Sequence, residues 1–435
     1  MLTYRNAIKF YVPLVIQAVS QSFTYPLVAV VVSHGALGVS AYDAFVQGQA
    51  VMFILNALCH ALLTTIMVYG TSRQGFQKAH RLNMLCMAVI AAVQVLCSRQ
   101  PISTFIFARL LQLPPESVTV ASESLLYAVP IHIAFFIRNS YSAILYNALA
   151  SNIANMATLV RIAITAALSY ACVRWLNFTG HFAGSVTFAV PAFCEALAMW
   201  HFARPYIRRL PAETGKSASI RELLSFTVPL AFGNTVLSLS GFVTAAFIAY
   251  AADPARMRPI HYIALGIINP IAFGALRMQT VAIAFASRSR LQQRRLFIFT
   301  VCGGLTLGAV TLLGQIPAVA RFYFGTLQNL GAEDIPLAMS AILVAGLIPV
   351  FQALRGHAEG LAAHHKRPSI ILAGQVSYLA ILVCALYVTL RLDVPGNLMG
   401  VTAIIAAVIA TTLTVRVGLL GLKFERQFTL DDDTP

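Results

Sequence analysis

The chain has 435 residues, of which 58% are hydrophobic and 10% charged, and its formal net charge is +15. So little polar material cannot clothe a string of soluble domains of this length, and composition points instead to one bilayer-embedded bundle of helices. The basic residues sit in short connections between apolar stretches and form no basic, aromatic-rich segment. A nucleic-acid partner is therefore not expected, and the charge reads as a topology signal.

Apolar runs of about 20 residues, the length that crosses a bilayer, predict twelve helices, near 7–33, 43–70, 81–98, 119–146, 152–174, 181–203, 222–250, 260–286, 295–315, 334–363, 368–390 and 397–421. The expected fold class is an all-α polytopic membrane protein, with twelve transmembrane helices in two pseudo-symmetric six-helix bundles around a central cavity. The first run, "FYVPLVIQAVSQSFTYPLVAVVV", is longer than the apolar core of a signal peptide and has no small-residue cleavage site after it, so it reads as a retained first helix. Two longer connections, "RQPISTFIFARLLQLPPES" and "IPAVARFYFGTLQNLGAED", are amphipathic and suit short helices lying at the membrane interface. The seven cysteines are scattered singly through apolar runs without Cys-x-x-Cys or His spacing, so they read as small core residues, and no metal or other cofactor is expected.

With the N-terminus inside, eighteen Lys and Arg fall on inner segments and seven on outer ones, which places both termini in the cytoplasm. The expected location is the plasma membrane, or the inner membrane of a bacterium. The longest charged linker, "RPYIRRLPAETGKSASIR", occupies 204–221, dividing an N-terminal bundle (1–203) from a C-terminal bundle with a short cytoplasmic tail (222–435). An internal repeat agrees with that division. The first and seventh helices align on Pro13 and Pro229, and Leu111-Gln112 aligns with Leu327-Gln328, both at an offset of 216. Six helices per half give the two repeats one orientation, related by an axis along the membrane normal.

Once the topogenic charges are set aside, Arg138, Arg161, Arg277, Arg355 and Arg416 remain inside predicted helices. Arginine near a helix centre costs about 2.5–3.5 kcal/mol on insertion scales, so such residues face the protein interior or water and mark a pathway. Arg416 is near enough to the cytoplasmic end to snorkel. Arg138 and Arg355 are near-symmetric mates, and so are His60 and Arg277, each pair 217 residues apart. Cations aimed from both bundles at one cavity make an anion site, because guanidinium grips carboxylate or phosphate bidentately. A packing role stands beside that reading: Arg355 and Glu359 are i,i+4 neighbours that can satisfy each other, and Asn139 or carbonyls freed by Pro130 can hold Arg138.

His357 lies about 200° around the helix from Arg355. Both could face one cavity only if the helix unwinds, which Gly356 and Gly360 would allow, and a His357–Glu359 pair would suit proton coupling. His364, His365, Lys366 and Arg367 read as the cytoplasmic cap of the tenth helix. Gln17, Gln21 and Asn234 are candidate cavity-lining groups on the first and seventh helices.

Three stretches, "IKFYVPL", "SIRELLSFTVPLAF" and "LIPVFQALRGHAEGL" with its Arg355, His357, Gly360 spacing, resemble the progressive ankylosis (ANK) family of membrane transporters. That family is similar in turn to the multidrug/oligosaccharidyl-lipid/polysaccharide exporter superfamily. The resemblance implies two six-helix bundles working by alternating access and export of small polyanions of the pyrophosphate, nucleotide or citrate class. The charged residues around Arg277 depart from the family pattern, and the long tail of animal members is replaced by "LDDDTP".

The expected function is a secondary transporter exporting small organic or phosphate-containing anions, with Arg138, Arg355, His357, Arg277, Glu359, Arg161, His60, Asn234, Gln17 and Gln21 as substrate-binding candidates. Its partners would be a small anionic substrate, the lipid bilayer and a coupling proton or sodium ion, with the protein acting as a monomer. A lipid-linked-oligosaccharide flippase is one alternative. Multidrug efflux is another; it calls for cavity acids, for which Glu123 and Glu195 are the deep candidates of the first half. No His-Glu-x-x-His, paired aspartates or Gly-rich phosphate loop supports an enzyme.

Overall fold

A computed structural model describes residues 3–431 except 23, 36–37, 112, 213–217, 288 and 329. Several features read from the sequence lie partly outside that set: Gln112 of the second repeat anchor, Lys216 and Arg288 of the basic tally, the middle of the 204–221 linker, and the end of the acidic tail. Among the described residues the chain is all helix and turn, with no strand. In hydrocarbon a helix satisfies its own backbone donors and acceptors, which a lone strand cannot do.

The N-terminal half runs α1 (Tyr4–Gln21), α2 (Thr24–Ser33), α3 (Gly38–Leu55), α4 (Ala57–Tyr69), α5 (Arg73–Cys97), α6 (Ile102–Thr104), α7 (Pro115–Tyr127), α8 (Val129–Asn147), α9 (Ser151–Arg174) and α10 (His181–Arg208). The C-terminal half repeats the order with α11 (Ile220–Ser238), α12 (Ser240–Ile248), α13 (Pro254–Leu276), α14 (Met278–Phe285), α15 (Arg290–Leu312), α16 (Pro317–Ala320), α17 (Ile335–Ala345), α18 (Ile348–His364), α19 (Pro368–Arg391) and α20 (Gly396–Asp431). Eleven helices among the described residues are long and apolar enough to cross a membrane. The remaining predicted run, 7–33, is carried by α1 and α2 together. The chain is an integral membrane protein with the expected all-α class and a helix count close to the predicted twelve.

The repeat reappears in backbone detail. π-helical turns occupy Phe105–Leu110 and Arg321–Leu327, whose first residues are 216 positions apart, and both lie in the connections predicted to be interfacial. Paired helix breaks recur as well. Pro130 and Pro349 each sit at the start of a second segment, α8 and α18, where the missing proline N–H interrupts the ladder from the preceding segment without leaving a donor unsatisfied.

The chain forms two compact units, Ser20–Ala231 and the combination of Met1–Val19 with Phe232–Pro435. In the first unit α10 packs against α8, α9 and α2, and α3 against α7. The start of α11 belongs here: Phe226 meets Tyr69 edge-on at 5.4 Å, and the Thr227 and Thr65 hydroxyls are 2.8 Å apart. In the second unit α18 contacts α13, α14, α15 and α20. The start of α1 packs here, with Phe10 edge-on to Phe285 at 5.7 Å and Tyr11 Oη donating to the Gly274 carbonyl at 3.2 Å.

The helix α18 is continuous through Gly356 and Gly360, so the unwinding that these glycines would allow does not occur. A Cβ on Gly356 would stand 2.8 Å from the Leu276 carbonyl oxygen, and one on Gly360 would stand 2.6 Å from that of Gln279. These glycines exist to let α18 lie against the backbone around α14. Small residues serve the same end wherever membrane helices approach closely.

Candidate functional site

Within the Ser20–Ala231 unit, α8, α9 and α10 bring Arg138, Arg161 and Glu195 together. Glu195 sits midway along α10 and is buried; its Oε2 lies 3.4 Å from Arg138 Nη1 and 3.4 Å from Arg161 Nε. Thr158 of α9 donates a short hydrogen bond to Glu195 Oε1. Arg138 Nε and Nη2 donate to Asn139 Oδ1 at 3.1 and 2.9 Å, and Asn139 Nδ2 donates in turn to Cys59 Sγ at 3.1 Å. The Phe135 ring lies 4.7 Å from the Arg138 guanidinium carbon, a cation–π distance. Arg161 Nη2 donates to Thr24 Oγ1 at 3.1 Å.

Two guanidinium groups therefore face a single carboxylate, leaving one positive charge uncompensated among them. Donors are in excess too: Arg161 Nε is buried and, despite its distance from Glu195, makes no hydrogen bond. Buried arginine donors left unpaired are costly, more so than neutral ones. Arg138 carries most of the accessible surface of the cluster, its side chain being 11% exposed against 3% for Arg161.

The second unit handles its arginine differently. Arg355 Nε donates to Glu359 Oε1 at 2.8 Å, one turn along α18, and both side chains are buried. The Tyr378 ring is 5.4 Å from the guanidinium carbon. His357 is buried on another side of the helix, with its ring edge-on to Phe297 at 5.8 Å, and Arg416 stacks over that same Phe297 ring at 4.9 Å. Glu359 is thus engaged by Arg355, whereas His357 packs on an aromatic ring. Arg416 Nη2 is buried without a hydrogen-bond partner.

The other candidates are placed as follows. Arg277 is half-buried at the break between α13 and α14. His60 of α4 is exposed and lies 3.4 Å from Asn56. Gln17 is buried and Gln21 half-buried on α1. Asn234 accepts a hydrogen bond from Gln375 at 3.2 Å within the second unit. Outside the apolar runs, Arg256 pairs with Asp334 at 2.6 Å, and that hydrogen bond together with the carboxylate charge raises the Arg256 pKa. Among the described residues no three His, Cys, Asp or Glu side chains gather as a metal site.

Reading the sequence alone misses Glu195 as a partner of the arginines, along with Thr158 and Thr24. The available signal was a lone carboxylate in the middle of the apolar helix 181–203. What the sequence could not supply is that α8 and α9 both aim an arginine at it. A second buried network was also missed: His132 Nδ1 is 2.7 Å from Gln94 Oε1, and Gln94 Nε2 donates to the Leu125 carbonyl at 2.8 Å, tying α5 to α7 and α8.

No protein-family model matches the sequence, and no curated protein matches it. Solved structures do match in fold. A eukaryotic MATE transporter aligns over 96% of this chain and 95% of its own, with a TM-score of 0.75 and 13% identity. A transporter of the MOP superfamily from Pyrococcus furiosus aligns over 97% and 96%, with a TM-score of 0.74 and 15% identity; it is described as having a binding pocket of reverse polarity that suggests a different function. An outward-facing multidrug resistance MATE transporter of that superfamily aligns over 97% and 96%, with a TM-score of 0.72 and 16% identity. At these identities the likeness is one of fold: this chain has the fold of MATE transporters. Function has to be argued from its own side chains.

Proposed function

We propose that the chain is a secondary transporter that exports small organic or phosphate-containing anions by alternating access, with both termini in the cytoplasm. The observation that carries the anionic class is the positive surplus in the Arg138, Arg161 and Glu195 cluster, two guanidiniums around one carboxylate on three apolar helices. Charges held in a membrane interior are retained where a ligand or pathway needs them. The resemblance to the progressive ankylosis family supports the same class. Arg355 and Glu359 neutralise each other, so that pair adds no cationic bias of its own. Arg277 and the polar groups Gln17, Gln21 and Asn234 remain proposed contributors to substrate handling, with a proton or sodium ion as the coupling ion.

Multidrug efflux is the second reading. It is favoured by the multidrug transporter among the structural neighbours and by the depth of Glu195, a carboxylate able to meet a cationic drug. Inside-out vesicles separate the two. Anion export predicts accumulation of labelled pyrophosphate or citrate that Arg138→Ala and Arg161→Ala each reduce at least tenfold, since a lost charge-assisted pair of about 1.5–3 kcal/mol has that effect. Accumulation of a lipophilic cationic dye with no anion uptake would instead establish drug efflux.

A further inference from the structure

The cluster around Glu195 has a charge balance that depends on one proton. With Glu195 ionised, Arg138 and Arg161 leave room for a single negative charge; with Glu195 neutral, they can match two. The hydrogen bonds are similarly placed. Of the five N–H groups of Arg138, three point at Asn139 and Glu195, and Arg161 makes one hydrogen bond, to Thr24, while its Nε has none. An oxyanion with several oxygens can take up these donors, which the one carboxylate present does not exhaust.

We propose that Arg138, Arg161 and Glu195 form a dianion site within the Ser20–Ala231 unit, in which binding of a phosphate-type oxyanion is accompanied by uptake of one proton on Glu195. The proposal rests on the anion-transporter reading and adds to it the charge state of the ligand and the group that sets it.

Among the described residues the surroundings supply no competing proton acceptor of equal standing. From α8 Glu195 meets Arg138, and from α9 it meets Arg161 and Thr158. The helix α2 contributes the hydroxyls of Thr24 and Tyr25 and no charged residue. The helix α4 carries His60, which is exposed, and Cys59, which is engaged by Asn139. On α7, Glu123 is paired with His181 at 2.7 Å. The helix α3 carries Tyr42 and a single acid, Asp43, whose side chain lies outside the described set.

Proton uptake has a defined sign. A bound state holding one more proton than the free state gains affinity as pH falls, by up to about tenfold per pH unit while Glu195 is ionised in the free protein. A monoanion, which Arg138 and Arg161 balance with Glu195 still charged, has no such dependence.

Titration calorimetry of the purified full-length protein tests this, with inorganic pyrophosphate and with acetate as probes in two buffers of different ionisation enthalpy. At about pH 5.5, where free pyrophosphate is already mainly the dianion and acetate mainly ionised, the expected result is about one proton taken up per pyrophosphate bound and none per acetate. Glu195→Gln is expected to keep pyrophosphate affinity within about threefold of the best wild-type value and to abolish the proton uptake. Arg161→Gln is expected to weaken pyrophosphate at least about tenfold. Pyrophosphate binding by wild type without proton uptake between pH 5 and 8 (~) overturns the proposal whether or not any variant folds. Proton uptake surviving in Glu195→Gln overturns the assignment to Glu195. In either case anion accumulation in vesicles still stands as the measure of the transporter reading; failure of all anions to accumulate there would remove that reading itself.

Discussion

The two units of the chain solve one problem in opposite ways. In the second, Arg355 is balanced by Glu359 on its own helix, so the pair closes within a single turn of α18. In the Ser20–Ala231 unit, Arg138, Arg161 and Glu195 come from three helices, and the positive charges outnumber the negative. A pair within one helix is neutral and local; it needs no tertiary partner to be satisfied. A cluster assembled across helices ties their relative positions to its charge state, and any change of that charge must be felt by all three. The repeat copied the helices but not the electrostatics.

The comparison breaks most visibly at the carboxylates. Glu195→Ala would leave the buried Arg161 and the part-buried Arg138 without their carboxylate and is expected to cost about 3–5 kcal/mol or more. Glu359→Ala strands one, so its cost should fall at or below the lower end of about 3–5 kcal/mol. Denaturant unfolding in one detergent checks the order, and an equal loss in the two variants would refute the claim that the clusters differ in kind. Next in size, Gly360→Leu forces a side chain onto the Gln279 carbonyl and should destabilise by about 1–3 kcal/mol, read by the same unfolding curves. The mildest change sharpens the contrast from the other side. In a double-mutant cycle of Arg355 and Glu359 to apolar residues of similar size, the double variant should be more stable than either single one, because nothing is left unpaired. Additive losses would mean that Arg355 has partners elsewhere.

Most of the fold was legible because bilayer thickness leaves few choices for an apolar chain. The offset of 216 read from Pro13 and Pro229 recurs in the two π-helical turns, a detail that no hydropathy profile carries. The site was legible in part. Arginines inside apolar runs announce themselves by their insertion cost, and the i,i+4 pairing of Arg355 with Glu359 could be read from spacing alone. Contacts between helices could not be. Glu195 looked like a lone acid until α8 and α9 were placed beside it, and Gly356 and Gly360 left an unwound helix open because sequence does not say whether a glycine faces a neighbouring backbone. The 200° between Arg355 and His357 was correctly read, and the straight helix keeps them apart, one toward Tyr378 and the other toward Phe297.

The glycine seam has a mechanical consequence. With Gly356 set against the Leu276 carbonyl and Gly360 against that of Gln279, α18 and the junction of α13 with α14 touch main chain to main chain, with no flexible side chain between them to absorb sliding. They should travel as a single strut during any working cycle. A pair of spin labels bridging them would then report an unchanging separation, a fixed ruler against which displacements elsewhere in that unit can be measured.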